Sequence, residues 1–392
     1  MTWDQYAPDL EPRLADLHAR VHRGAYRAQP SRRRMIPKPD GRERPLGIAA
    51  LEDKIVQGAV VALLTPVYEA EFLGFSYGFR PGRGQHDALD ALAVGIERRR
   101  IHWILDADIR AFFDSIDHDW LMRFVEHRIA DKRILRLIQK WLKAGVLEDG
   151  RVEATPAGVP QGATISPLLA NVYLHYVYDL WVQHWRRHQA RGDMIVVRYA
   201  DDTIVGFEHE ADAERFLADL RERLATFSLS LHPAKTRLIA FGRWAGDERA
   251  QRGEGKPDTF DFLGFTHICG KTRYGRRFQL RRKTQRQRLR AKLKEVKNVL
   301  RRNWRATIDQ QGRWLTTVIR GHMAYFAVPT NSPALAAFCH HLGRIWYRYL
   351  RRRSQRCRIT WDRMKGYVAR YFPPVRVKHP WPSLRFDAKH PR

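Results

Sequence analysis

The chain has 392 residues, with 71 Lys+Arg against 42 Asp+Glu, a formal net charge of +29. Such an excess points to a polyanionic partner, nucleic acid or an anionic membrane surface, and argues against an enzyme of neutral metabolites. With 44% hydrophobic and 11% aromatic residues the chain can bury a sizeable core, which excludes disorder, and its length suits two or three domains.

The polar N-terminus (MTWDQYAPDLEPR) has no apolar signal-peptide core. Residues 32–48 (RRRMIPKPDGRERPLGI) set a Pro-Asp-Gly turn between two short extended arms, which predicts a basic hairpin. Residues 50–68 read as a helix. Their most apolar stretch, 58–68, is only about half of the roughly 20 residues that a membrane helix needs, so no membrane span is expected. A loop rich in Gly, Arg and aromatics follows at 74–84, then an apolar strand at 103–113 (WILDADIRAFF). Residues 117–144 are patterned as helix, 145–150 as its closing turn, and 151–158 as a linker. Residues 194–207 (MIVVRYADDTIVGF) are two apolar arms around Tyr-Ala-Asp-Asp. From 276 to 302 there are thirteen Lys/Arg, with Glu295 the only acid, and Leu289, Leu293, Val296 and Leu300 recur at helical spacing. This predicts a basic amphipathic helix from Arg276, with a second basic run at 348–358 after a helix near 334–347. Cys269, Cys339 and Cys357 form no C-x-x-C pair, so a disulfide scaffold or four-cysteine zinc site is not expected, and a reducing, cytoplasmic setting fits.

The chemistry concentrates in two segments. Asp106 and Asp108 share one face of the strand at 103–113, and Asp201 and Asp202 stand at the tip of a tight hairpin. Neighbouring carboxylates repel unless a metal or a proton neutralises them. A lone Asp-Asp pair is usually a polar turn. Here the apolar strands on both sides and the matching acidic strand favour a site for two Mg²⁺ ions, one activating a hydroxyl and the other neutralising a leaving group.

Tyr199-Ala200-Asp201-Asp202 resembles the signature of reverse transcriptases, and the surrounding motifs occur in the family's order. Asp108-Ile-Arg-Ala-Phe-Phe-Asp resembles the palm motif with the first metal-binding Asp, and residues 158–174 (GVPQGATISPLLANVYL) resemble the motif that follows it. Residues 229–236 (LSLHPAKT) resemble the motif with a lysine near the triphosphate, and 260–265 (FDFLGF) the primer grip. The wording is most similar to bacterial group II intron reverse transcriptase/maturases, through IPKPDG at 36–41, RPLGI at 44–48, SYGFRPGR at 76–83 and residues 320–326.

The resemblance implies an α+β right-hand polymerase: fingers and palm with an antiparallel sheet plus helices over 1–270, a helical thumb/maturase domain over 271–346, and a basic, DNA-binding C-terminal segment over 347–392. It implies an RNA-directed DNA polymerase, a nucleotidyltransferase that extends a DNA primer with dNTPs on an RNA template. It also implies binding and splicing of intron RNA, retromobility into target DNA, and leaves room for a homodimer. Asp108, Asp201 and Asp202 are then the catalytic metal ligands for two Mg²⁺. Phe113, at the family's spacing from Asp108, is the gate that excludes a nucleotide 2′-hydroxyl. Lys38, Arg44, Gln161, Gly162 and Lys235 attend the dNTP, Lys235 as general acid. Arg80, Arg83, Tyr199, Arg282, Arg286 and Arg290 contact template or primer. Ala163 stands where the family usually has a second glycine and is expected to narrow the space beside the template base, and the N-terminal extension looks short. Two other readings stay open: a decayed maturase that only binds RNA, and a reverse transcriptase recruited to defence or diversity generation.

Overall fold

A computed structural model describes residues 2–37, 43–148, 150–272, 274, 277–353 and 359–390, with Pro37 and Arg44 described by backbone alone. The chain divides into two compact units, Met1–Ala88 with Arg100–Ile239, and Leu89–Arg99 with Ala240–Arg392.

In the first unit the basic segment forms β1 (Ser31–Pro37) and β2 (Glu43–Ile48), antiparallel, with Arg32 opposite Ile48 and Pro37 opposite Glu43. The expected turn of that hairpin lies outside the described residues. The helix Leu51–Glu69 follows, and a four-stranded sheet elsewhere in the unit contains β3 (Trp103–Asp108). Residues 117–144 make two helices, His118–Glu126 and Lys132–Lys143, each capped by an Asp side chain, Asp117 or Asp131. These caps accept from backbone N–H groups that a helix start leaves unpaired. Part of the expected closing turn is β4 (Val146–Glu148) and the start of the expected linker is β5 (Arg151–Glu153), which extend the first sheet in the order β2-β1-β4-β5.

The second sheet has the order β6-β7-β3-β8, with β6 (Met194–Tyr199), β7 (Asp202–Phe207) and β8 (Arg237–Ala240). β7 pairs antiparallel with both neighbours, and everything after Asp202 in it is buried. A central strand covered on both faces needs a continuous apolar run rather than an alternating one. Phe207 packs there with Trp185 and Phe216, brought by the helices Leu180–His188 and Glu210–Thr226.

The second unit contains a three-stranded antiparallel sheet, β9 (Phe260–Phe262), β10 (Phe265–Lys271) and β11 (Phe278–Thr284). Leu263 and Gly264 join β9 to β10 with φ of 46° and 81°, the two left-handed positions that a two-residue hairpin turn requires. The helices Arg286–Arg302, Ile308–Phe326, Ser332–Arg351 and Trp361–Tyr371 close around Val296, Leu315, Phe338, Trp346 and Met364.

Three expectations change. The helix does not begin at Arg276: residues 278–284 are β11, with Leu280, Arg282 and Thr284 turned inward by strand alternation. Nor do residues 347–392 stand apart, because Leu350 and Met364 belong to the same core as the preceding helices and Arg98 grips Asp387 through two bonds of 2.8 and 2.7 Å. The compact units also part at Ile239/Ala240 rather than near residue 270.

His267 on β10 is fully buried and stacked on Phe260, with ring centroids 4.7 Å apart. Burial, assisted by the Arg282 charge, lowers its pKa to about 3, so it stays neutral in the fold. The unfolded chain takes up a proton near pH 6.5 that the folded chain refuses, so this group's contribution to stability falls as pH drops from about 6.5 toward 3. We expect the unfolding free energy of His267→Phe, measured in urea at each pH, to fall less steeply with acidification than that of the wild type, the difference approaching about 1.4 kcal/mol per pH unit.

Candidate active site

The site grows from the adjacent strands β3, β7 and β8. Asp108 ends β3 directly opposite Asp202, which starts β7, and Tyr199 closes β6 opposite the same Asp202. The two-residue connection between β6 and β7 is Ala200-Asp201, with Ala200 at φ 56°. The hairpin therefore carries both acids to the end of the sheet where Asp108 lies. On the other side of β3, residues of the 229–237 segment bring cations: Lys235 pairs with Asp108, and Arg237 lies 3.5 Å from Asp106. Lys235 comes from the turn that precedes β8 and Arg237 begins that strand, so the two cations reach the two acids of β3 from one connection.

Burial raises the Asp202 carboxyl to about 7, followed by the like charges of Asp201, Asp108 and Asp106, while Lys235 pulls it down. Asp202 is nevertheless solvent-exposed at the hairpin tip, so water moderates the burial part. The repulsion among the acids is the part that a bound cation would relieve. Among the described residues no group of three or more Asp, Glu, His or Cys side chains is arranged to hold a metal ion as it stands. The donor chemistry does fit a hard divalent cation: carboxylate oxygens crowded by their own charge, with an ammonium occupying Asp108.

After Asp108 the backbone turns through Ala111 at φ 45°, which sends Phe112 into the core and leaves Phe113 half-buried beside it. The Phe113 carbonyl accepts from Val159 N–H at 2.8 Å, and a Cβ on Gly158 would sit 3.0 Å from the same oxygen. Next to it, a cavity of about 380 Å³ is lined by Arg33, Met35, Gly47, Asp114, Gly158 and Gln161. Gly47 N–H on β2 donates to the Gln161 carbonyl at 2.7 Å, and the Gln161 amide reaches Asp114 at 3.5 Å. Gly162, at φ 109°, leaves no room for a side chain, since a Cβ would meet the Gly47 carbonyl at 2.9 Å. Gln161 and Gly162 are thus tied to the basic hairpin. Lys38 lies outside the described residues, and of Arg44 only the backbone is described, paired with Ile36. Ala163 is buried and lines a small internal cavity with Asp53 and Gln57, so its methyl group does not narrow an open channel.

Two arginines expected on template or primer are elsewhere engaged. Arg80 is buried, forked onto Glu69 at 2.9 Å and bonded to the carbonyls of Leu73 and Ser76 at 2.8 and 2.9 Å. Arg282 is buried on β11 with Asp90 at 2.8 Å. Neither guanidinium can meet a phosphate without abandoning its carboxylate, half-buried Glu69 or buried Asp90. Arg83 is half-buried, donating to the Gly74 carbonyl at 2.7 Å and lying over the Tyr77 ring. Arg286 and Arg290 are exposed one turn apart on their helix, as the sequence predicts.

Sequence reasoning missed the support beneath the hairpin. Gly78 is packed so closely on it that a Cβ would lie 2.2 Å from Ala200 N. We expect Gly78→Ala to lower the unfolding free energy by about 1–3 kcal/mol in urea. Gly74→Ala, where nothing lies within 4 Å of the added carbon, should stay within about 0.5 kcal/mol of wild type.

Residues 36–267 match the family described as reverse transcriptase (RNA-dependent DNA polymerase). The chain is 34% identical to protein YkfC of Escherichia coli (strain K12) over 284 residues, 64% of this chain and 70% of that one. It is 43% identical to group II intron-encoded protein LtrA of Lactococcus lactis subsp. cremoris over 153 residues, 39% of this chain and only 25% of LtrA. It also aligns with a Candida albicans telomerase solved with a TWJ fragment of telomeric RNA, at TM-score 0.48 and 12% identity, over 93% of this chain and 58% of that one. A likeness at that level says nothing about function.

Proposed function

This chain belongs to the reverse transcriptase (RNA-dependent DNA polymerase) family, and we propose that it extends a DNA primer with dNTPs on an RNA template at the Asp108–Asp202 end of its sheet. The observation that carries the reading is the crowding of Asp108, Asp201 and Asp202 within a chain of net charge +29. A protein that only bound nucleic acid would gain nothing from acids that repel one another and its ligand. Two Mg²⁺ ions held by these carboxylates would supply the charge that activates a primer 3′-hydroxyl and neutralises pyrophosphate.

The protein's own groups divide the remaining work. Lys235, paired with Asp108, is close enough to the acids to hand a proton to departing pyrophosphate. Gln161 borders the cavity beside the basic hairpin and is followed by Gly162, Lys38 and Arg44 are assigned to the triphosphate by their motif, and Phe113 excludes the 2′-hydroxyl of a ribonucleotide. Tyr199 packs beside the primer end. Arg286 and Arg290 present an unpartnered stripe of charge to template–primer or folded intron RNA. Likeness to a group II intron-encoded protein supports splicing assistance to an intron RNA and its copying into target DNA.

Primer extension with Mg²⁺ tests the reading. Asp201→Ala should lower the rate by at least about 100-fold, the loss of a few kcal/mol of transition-state stabilisation. Equal extension by both proteins would overturn the assignment of the reaction to these acids, and no extension by the wild type would leave an RNA-binding maturase as the answer. Phe113→Ala should retain extension and begin to accept ribonucleotides. RNA affinity should fall steeply with salt, by about 0.7–0.9 in log K per tenfold salt for each phosphate contacted. Replacing Arg286 and Arg290 by Gln should make that slope shallower.

A further inference from the structure

Arg198 is the one charged residue in β6 (MIVVRY), and its side chain is 1% exposed. All five of its N–H donors are used. Nε and one Nη2 hydrogen clasp the carboxylate of Asp179, itself fully buried, at 2.7 and 2.6 Å. The second Nη2 hydrogen goes to Ser76 Oγ at 2.6 Å. Nη1 donates to Asn171 Oδ1 at 3.1 Å and to the carbonyl of Ala200 at 2.9 Å. Asn171 and Asp179 reach the same guanidinium because the helix between them contains a wide π turn, His175–Asp179. Turns of this kind recur at functional sites.

The bond to Ala200 connects this buried network to the site. Ala200 is held in the left-handed region, a conformation that an alanine leaves unless something retains it. Its carbonyl belongs to the peptide plane that sets the backbone of Asp201. The same corner is braced from below by the 75–78 segment. Arg198 N–H donates to the Phe75 carbonyl, Tyr77 N–H donates to the Arg198 carbonyl, and Asn171 Nδ2 holds the Gly78 carbonyl against which Ala200 packs.

A buried ion pair is weak evidence for stability, since an apolar pair of similar size often serves the fold as well. What an apolar pair cannot supply is a directional bond to one carbonyl. We propose that Arg198, oriented by Asp179, is a positioning residue that fixes the Ala200–Asp201 peptide, and hence the direction in which Asp201 is presented to a divalent cation. This rests on the proposed metal role of Asp201. Outer partners of this kind govern metal affinity as much as they govern rate.

The test is Mn²⁺ binding to the full chain without nucleotide or primer, read from the electron paramagnetic resonance signal of the free ion. Wild type and Asp201→Ala define the site. The double variant Arg198→Met/Asp179→Leu removes both buried charges together, and Arg198→Lys keeps the charge but lacks the fork. Circular dichroism melting checks that each is folded, and fluorescence anisotropy checks template–primer affinity. We expect folded variants to bind Mn²⁺ about 10–100-fold more weakly, with template–primer affinity unchanged. Mn²⁺ binding equal to wild type in a folded variant would overturn the inference. So would failure of both variants to fold, because the pair would then be holding the unit together rather than aiming one residue. If wild type itself has no Mn²⁺ site that depends on Asp201, the metal reading fails and takes this inference with it.

Discussion

Electrostatic repulsion among a few carboxylates is the constraint around which the first unit is organised. Asp108 and Asp202 are opposite each other across two hydrogen-bonded strands, with Asp201 next in the chain, so they cannot separate without breaking the sheet. The strands remain paired because β7 is buried along nearly its whole length and locked between β6 and β3. Hydrophobic burial thus holds together groups that would otherwise drift apart, and the cost appears as the raised proton affinity of Asp202. Lys235 and Arg237 offset part of it, each beside an acid of β3. A cluster of this kind is stored electrostatic strain supported by an apolar sheet.

That logic explains which features were legible in the sequence. The hairpin at 194–207, the acidic strand at 103–108 and the basic hairpin arms were readable because each is a local pattern: an apolar run, a turn and the next run. The motif order carried the family for the same reason. The failures were failures of pairing at a distance. Arg80 and Arg282 looked like phosphate contacts because both sit in basic surroundings. Their partners are Glu69, eleven residues away, and Asp90, 192 residues away, and no window along the chain joins the second pair. In β11 the thirteen-cation count concealed the alternation of FQLRRKT, which turns Leu280, Arg282 and Thr284 to one side. A signal existed: two acids seven residues apart, Asp90 and Glu97, on one side of the helix Gln85–Arg98, and both meet β11, Asp90 through Arg282 and Glu97 through the Leu280 N–H.

Arg198 follows the same pattern with a sharper clue. It is a single cation in an apolar strand, and Asp179 is a single acid in an apolar helical run, VYDLWV. Two solitary opposite charges in segments otherwise built for burial can be accommodated only by meeting each other, since either left alone in the interior would be very costly. Sequence can therefore propose the pair, although only the fold reveals that its remaining hydrogen bonds end on Ala200 and Ser76.

The net charge of +29 accordingly divides into two populations. Arg80, Arg198 and Arg282 are buried, each facing a carboxylate (Asp90, the partner of Arg282, also pairs with Arg385), and they shape backbone rather than attract a polyanion. The exposed cations of the helix Arg286–Arg302 have Glu295 as the only acid on their own helix, so their field extends into solvent, where counterions or phosphates must answer it. Each buried cation removed from the total takes an acid with it, so the surface excess survives the correction undiminished. A long-range positive field and a short-range acidic cluster are compatible because they act on different scales. The first gathers a polyanion through screened solvent over about a Debye length, and the second acts over a few ångströms, where only a small cation can intervene between carboxylate and phosphate.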